Sequence, residues 1–188
     1  MEELSLHILD IVENSVAANA TIIKIEIFRD EKANLLSIKI WDNGKGIDKE
    51  LLEKIESPFY TSKKERKIKV GLGIPLFKFS ALQSHGSFKI DSKKGEYTQI
   101  EATFQLNDID RPPLGDLYNT LLGIVITHQN IDFEIKIENN GKCFEFSTRE
   151  IREVLNDVPF TYPDVYDFIS KNIEQGILEI GLNPRKVY

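Results

Sequence analysis

Apolar residues recur at helical spacing near the start of the chain. Leu6, Leu9, Val12 and Val16 form one stripe, which predicts a helix over residues 3–18, ended by Asn19-Ala20-Thr21. The period then changes. Ile22–Phe28 and Leu35–Trp41 alternate apolar with polar residues, as half-buried strands do, and their short separation predicts a hairpin. A short helix fits Lys49–Ile55 and stops before Pro58. Lys63–Lys69 reads as an exposed loop. Gly71–Leu82 reads as a helix with Pro75 in its first turn. Ser87–Asp91 and Thr98–Leu106 follow as two more strands. Helix, strand, strand, loop, helix, strand, strand predicts an α+β two-layer sandwich, with helices on one face of a mixed sheet.

Asp108–Pro113 breaks the pattern, and Pro112-Pro113 would stiffen a linker there. The expected division is a first domain at 1–106, a linker at 107–113 and a small α+β domain at 114–188. In the second domain, Asp116–Ile126 reads as a helix. Ile131–Ile137 and Lys142–Ser147 flank the hairpin turn Asn139-Asn140-Gly141. Thr148 could cap a helix running to Leu155, and Pro163 could open a last helix reaching about Gln175. No repeat period is evident.

Charge sharpens this division. Residues 1–106 carry 16 basic and 16 acidic side chains, whereas 107–188 carry 8 and 14, so the net charge of −6 sits in the second part. That argues against nucleic acid as its partner. The chain has one cysteine, Cys143, so neither an intrachain disulfide nor a thiolate metal cluster is available. With no 18-residue apolar run and an acidic start, the sequence reads as a soluble cytoplasmic protein without a membrane partner.

Four polar or glycine-rich blocks interrupt the apolar pattern of the first domain. On the first helix, Asp10 and Asn14 are four apart and share a face, with Glu3 and His7 near it. By itself this row could be only the solvated side. Trp41-Asp42-Asn43-Gly44-Lys45-Gly46-Ile47 follows directly on a strand, and Asp-Asn-Gly is also ordinary turn chemistry. Ser57–Lys63 leads into Lys63–Lys69, with five positive charges and one negative. Val70-Gly71-Leu72-Gly73 then enters a helix, whose N-terminal N–H groups suit an anion.

In this order the four blocks resemble the nucleotide site of the GHKL superfamily, which includes gyrase, the large heat-shock chaperone, sensor histidine kinases and MutL. The resemblance implies the Bergerat fold and the cofactors ATP and Mg²⁺. It places Asn14 on Mg²⁺, whose hard-cation chemistry suits an amide oxygen beside phosphates and waters. It assigns Asp42 to the adenine amine, with Gly44, Gly46 and Ile47 close to the base. A mobile lid would bring Lys63 near the γ-phosphate, and Gly71, Leu72 and Gly73 would present backbone N–H groups to the phosphates. Thr98 matches the threonine that supports the adenine aspartate. Hydrolytic members carry a glutamate as general base where this chain has the shorter Asp10; Glu13 lies off that face of the helix. Val70 and Lys69 stand where many relatives have further glycines.

The blocks name a nucleotide but not its use. The expected function is an Mg-ATP-binding regulator whose nucleotide state gates a protein partner through residues 114–188. The whole chain is similar to small ATP-binding proteins encoded beside iron hydrogenase subunits. The alternatives are a protein kinase acting in trans and a slow MutL-like ATPase with Asp10 as base. None of His7, His85 and His128 has the setting of a phospho-acceptor histidine, so autophosphorylation within this chain is not expected.

Overall fold

The computed structural model describes residues 3–56, 73–155 and 158–185. Its elements are α1 (Leu4–Ala17), β1 (Ile22–Asp30), β2 (Leu35–Asp42), α2 (Lys49–Glu56), α3 (Gly73–Gln83), β3 (Phe88–Lys93), β4 (Tyr97–Gln105), α4 (Leu117–Thr127), β5 (Asp132–Asn139), β6 (Lys142–Ser147), α5 (Thr148–Leu155) and α6 (Pro163–Glu179). The strands form one sheet in the order β3-β4-β2-β1-β5-β6. Only β1 and β5 are parallel; the other pairs are antiparallel. This is the α+β architecture expected of the sequence.

Alternation decides the two faces of the sheet. Ile23, Ile25, Ile27, Leu36, Ile38, Ile40, Ile100, Phe104, Phe133 and Ile135 are buried and share one core with Ile8, Phe77, Leu121 and Ile173 from the helices. The opposite face is polar. One row crosses all six strands as Lys89, Glu101, Lys39, Glu26, Lys136 and Glu145, each in register with the next. Lys39 and Glu26 are 3.4 Å apart, and Lys136 and Glu145 3.7 Å. Cross-strand pairs of opposite charge stabilise a sheet modestly and keep that face in water.

The sheet runs through the expected boundary at 107–113. Beyond Pro112-Pro113 the chain adds β5 beside β1 and β6 at the edge, and the core is continuous. Nor does the segment before α4 stand apart from α1. Leu4 N donates to Pro113 O and Ser5 N to Leu114 O, both at 2.9 Å. Glu3, the N-cap of α1, makes no side-chain cap bond, so these carbonyls satisfy N–H groups that a helix start leaves unpaired.

A repeat appears in the fold that the residue pattern does not show. α1 is followed by the β1–β2 hairpin, and α4 by the β5–β6 hairpin. Ile22 pairs with Asp132, an offset of 132 − 22 = 110, and the offset holds to Arg29 and Asn139. The same offset relates the helix ends, Ala17 and Thr127. It carries Asp10 and Asn14 onto Thr120 and Ile124, so the second unit lacks their chemistry.

Candidate functional site

The polar residues of α1 and the end of β2 meet in a pocket of about 310 Å³. Asn14, Asp42, Gly46, Ile47 and Thr98 line it, with Ile11, Leu51, Ile74 and Ile100 as apolar walls. Apolar walls with a few placed polar groups suit a flat aromatic ligand. Ile11, Asn14 and Ser15 of α1 and its C-cap Ala18 all face it because they recur at helical spacing.

Asp42 ends β2 and is buried. One carboxylate oxygen accepts from Ser15 Oγ at 2.7 Å and the other from Gly44 N at 2.8 Å. Burial pushes its pKa above the ordinary carboxylate value, and the bonds from Ser15 and Gly44 oppose that rise. Thr98 lies opposite Asp42 in the β2–β4 register.

The loop after β2 is pinned rather than free. Asn43 Oδ1 accepts from Thr21 N and Ile22 N, each at 2.9 Å, and its Nδ2 donates to Thr21 Oγ1 at 2.9 Å. Lys45 N donates to Ala18 O at 2.9 Å. The two glycines answer to close neighbours within the protein. A Cβ at Gly44 would meet Asp42 Oδ1 at 2.8 Å and Ala18 Cβ at 2.9 Å. Gly46 has φ 65°, and a Cβ there would meet Lys93 O at 2.3 Å. Gly44 itself is not a lining residue.

Ser92 and Thr98 close one side, and counting hydrogens fixes their polarity. Ser92 Oγ donates its single hydrogen to Tyr97 O at 2.7 Å and accepts from Ile47 N at 2.9 Å. Its 3.1 Å contact with Thr98 Oγ1 must then use the threonine hydrogen. Thr98 therefore has only lone pairs left to offer. With the free lone pairs of Asp42, the part of the wall made by Asp42 and Thr98 accepts hydrogen bonds and does not donate them, while the donors of Asn14 and Lys45 lie elsewhere in the lining.

Asp10 is exposed, one turn before Asn14 on α1. A Cβ at Gly73 would meet Asp10 Cβ at 2.8 Å and Oδ2 at 3.2 Å, so the carboxylate abuts the start of α3. Gly73 and Asp10 thus meet outside the pocket's lining. Lys63, Gly71 and Leu72 lie outside the described residues. Glu13 is engaged elsewhere, with Oε1 2.8 Å from His128 Nε2. His7 is not solvated: it is buried against Phe77, ring centroids 5.5 Å apart, with Nε2 3.5 Å from Ser80 Oγ. No group of three or more His, Cys, Asp or Glu that could hold a metal occurs among the described residues. Asn14 offers one amide oxygen at the pocket, which fits Mg²⁺ held chiefly by phosphates and water.

Sequence reasoning missed Ser15 and Ser92. Ser15 was within reach, since it shares the pocket-facing stripe of α1 with Ile11 and Ala18. Ser92 has no sequence signal, because only the β3–β4 register brings it opposite Thr98.

The chain matches, over residues 2–108, the family described as histidine kinase-, DNA gyrase B- and HSP90-like ATPase. That span is more than half of the chain, and the chain belongs to this family. It is similar to the sensor histidine kinase YvrG of Bacillus subtilis, 26% identical over 98 residues, which are 51% of this chain and 17% of that one. The chain thus spans under a fifth of that relative's length. Two solved structures are similar to it. The Aquifex aeolicus MutL ATPase domain complexed with ADP has a TM-score of 0.43 at 17% identity, covering 83% of this chain and 70% of that one. The Francisella tularensis topoisomerase IV ATP-binding domain has a TM-score of 0.45 at 20% identity, covering 77% and 84%. No helix among the described residues is long and apolar enough to cross a membrane.

Proposed function

We propose that the chain binds Mg·ATP in the pocket between α1 and the end of β2, and that its nucleotide state gates a protein partner through residues 114–188. The observation that carries the nucleotide reading is the acceptor-only wall made by Asp42 and Thr98. Adenine presents an amine to such a wall. Guanine presents a carbonyl oxygen at the same position, which would leave buried acceptors facing an acceptor and cost about 1–3 kcal/mol or more. Asn14, at the pocket, would hold Mg²⁺ through its amide oxygen, and the metal would neutralise phosphate charge beside α1. Asp10, one turn away on α1, would take a proton from an attacking water.

Gating needs a physical link, and α1 supplies one. It carries Asp10 and Asn14 on one face and packs against α4 on another. Glu13 meets His128 at the end of α4, and Glu3 accepts from Asp116 N at its start at 3.1 Å. A shift of α1 on nucleotide binding would move both contacts. Titration with Mg·ATP and Mg·ADP, with phosphate release from the same sample, tests the reading. Micromolar binding supports it, and absence of binding refutes it. Turnover separates a slow ATPase from a kinase awaiting its substrate.

Ser92→Ala offers a narrower check. Removing that hydroxyl frees the Thr98 hydrogen to donate, so the preference for ATP over GTP should narrow by about tenfold. Ser92→Thr should retain it. A variant that weakens both nucleotides equally would show that Ser92 only supports the loop at Ile47.

A further inference from the structure

Three consecutive residues of β6, Glu145, Phe146 and Ser147, border a groove of about 360 Å³ with Ile151 and Val154 of α5 and Phe168 of α6. Neighbouring residues of a strand point to opposite faces, so three in a row can border one space only along the strand's edge. β6 is the last strand of the sheet. Its hairpin turn is the two-residue Asn140-Gly141, with φ 49° and 82°, which makes Asn139 and Lys142 a hydrogen-bonded pair. Alternation from that pair turns the backbone groups of Cys143, Glu145 and Ser147 away from β5. Among the described residues, neither Cys143 nor Glu145 takes part in a turn, loop or cap backbone bond, whereas Ser147 directly precedes α5 and its hydroxyl accepts from Glu150 N. The helix walls are uncovered too: Val154 is 78% and Phe168 55% exposed.

We propose that this edge takes an extended peptide of a protein partner as a seventh strand, and that the peptide alternates apolar with basic residues. This rests on the reading of residues 114–188 as partner-binding and names the partner's chemistry. The alternation follows from the charge row on the open face of the sheet. It ends at the edge on Glu145, so the next strand completes it with a lysine or arginine. On the other face the same strand meets Phe146 and Phe168, which call for apolar side chains. Strand addition of this kind satisfies the free backbone groups while alternate side chains give specificity. The competing occupant is β3 of a second copy, which carries Lys89 at the opposite edge of the sheet. Such head-to-tail pairing does not close and would build filaments.

The test uses two fluorescein-labelled heptapeptides, one alternating valine with lysine and one alternating valine with glutamate, read by anisotropy against the full chain. The wild type should bind the valine–lysine peptide and not the other. Glu145→Lys should weaken the first by about tenfold and reverse the preference. Phe168→Ala, at an exposed position, should weaken binding without reversing it. The proposal is overturned if the wild type fails to bind the valine–lysine peptide at millimolar concentration, or if Glu145→Lys leaves the preference unchanged. Self-assembly of the chain that Glu145→Lys abolishes would instead place β3 of a second copy in the groove. Repeating the titration with Mg·ATP separates the two readings: equal affinity with and without nucleotide keeps the groove and removes the gating.

Discussion

Asp42→Asn is expected to lower affinity for Mg·ATP by about 10- to 100-fold and to raise the melting temperature of the nucleotide-free protein. Both effects come from one burial. Asp42 is held in the core end of β2 with its pKa raised by loss of water, so its ionised form costs the folded state stability. Asparagine keeps the shape and an acceptor for Gly44 N without that charge. Its amide would turn a donor toward Ser15 or the pocket, where a charge-assisted bond to the adenine amine, about 1.5–3 kcal/mol, is lost. Calorimetric titration and thermal melting of the same two proteins check this. Undiminished ATP affinity would remove Asp42 from base recognition.

The same residue gives the pH dependence its sign. A carboxylate whose folded pKa is raised takes up its proton in the folded state before it would in the unfolded chain. As pH falls through that raised pKa toward the ordinary value, Asp42 therefore adds stability to the nucleotide-free protein. Protonation also removes an acceptor from the pocket, so ATP affinity should fall over the same window. In Asp42→Asn that loss should be absent, which a titration series from neutral to mildly acid pH would read.

Asp10→Asn should have the second large effect, on turnover. If hydrolysis uses Asp10 as base, the variant should lose about 10²- to 10⁴-fold in kcat while ATP affinity changes little. The separation is expected because Asp10 is exposed beside Gly73 and outside the lining of the pocket. Phosphate release under saturating Mg·ATP is the measurement. Turnover that survives intact would exclude Asp10, and Glu13 is a poor replacement because it already meets His128.

Much of the fold was legible because its elements are strongly periodic. α1 spans Leu4–Ala17 against an expected 3–18, and β6 spans Lys142–Ser147 as expected. Alternating isoleucines mark the inner faces of β1 and β2 in the sequence itself. The join between β1 and β5 was not legible. It pairs strands 110 residues apart, and nothing local in either strand names its partner. Pro112-Pro113 reads as a linker because prolines stiffen linkers, yet Pro113 O, with Leu114 O beside it, caps the start of α1. The site shows the same division. Asn14, Asp42 and Thr98 stand in recognisable blocks. Ser92 acts through register and hydrogen-bond direction, which a sequence does not record. His7 looked polar by position but is buried, since α3 packs over that side of α1.

Titrating the wild-type chain in parallel with Mg·ATP and Mg·GTP tests the central claim most directly. An acceptor-only wall predicts micromolar binding of ATP and at least tenfold weaker binding of GTP, about 1.4 kcal/mol. Equal affinity for the two, or no binding of ATP, would contradict it.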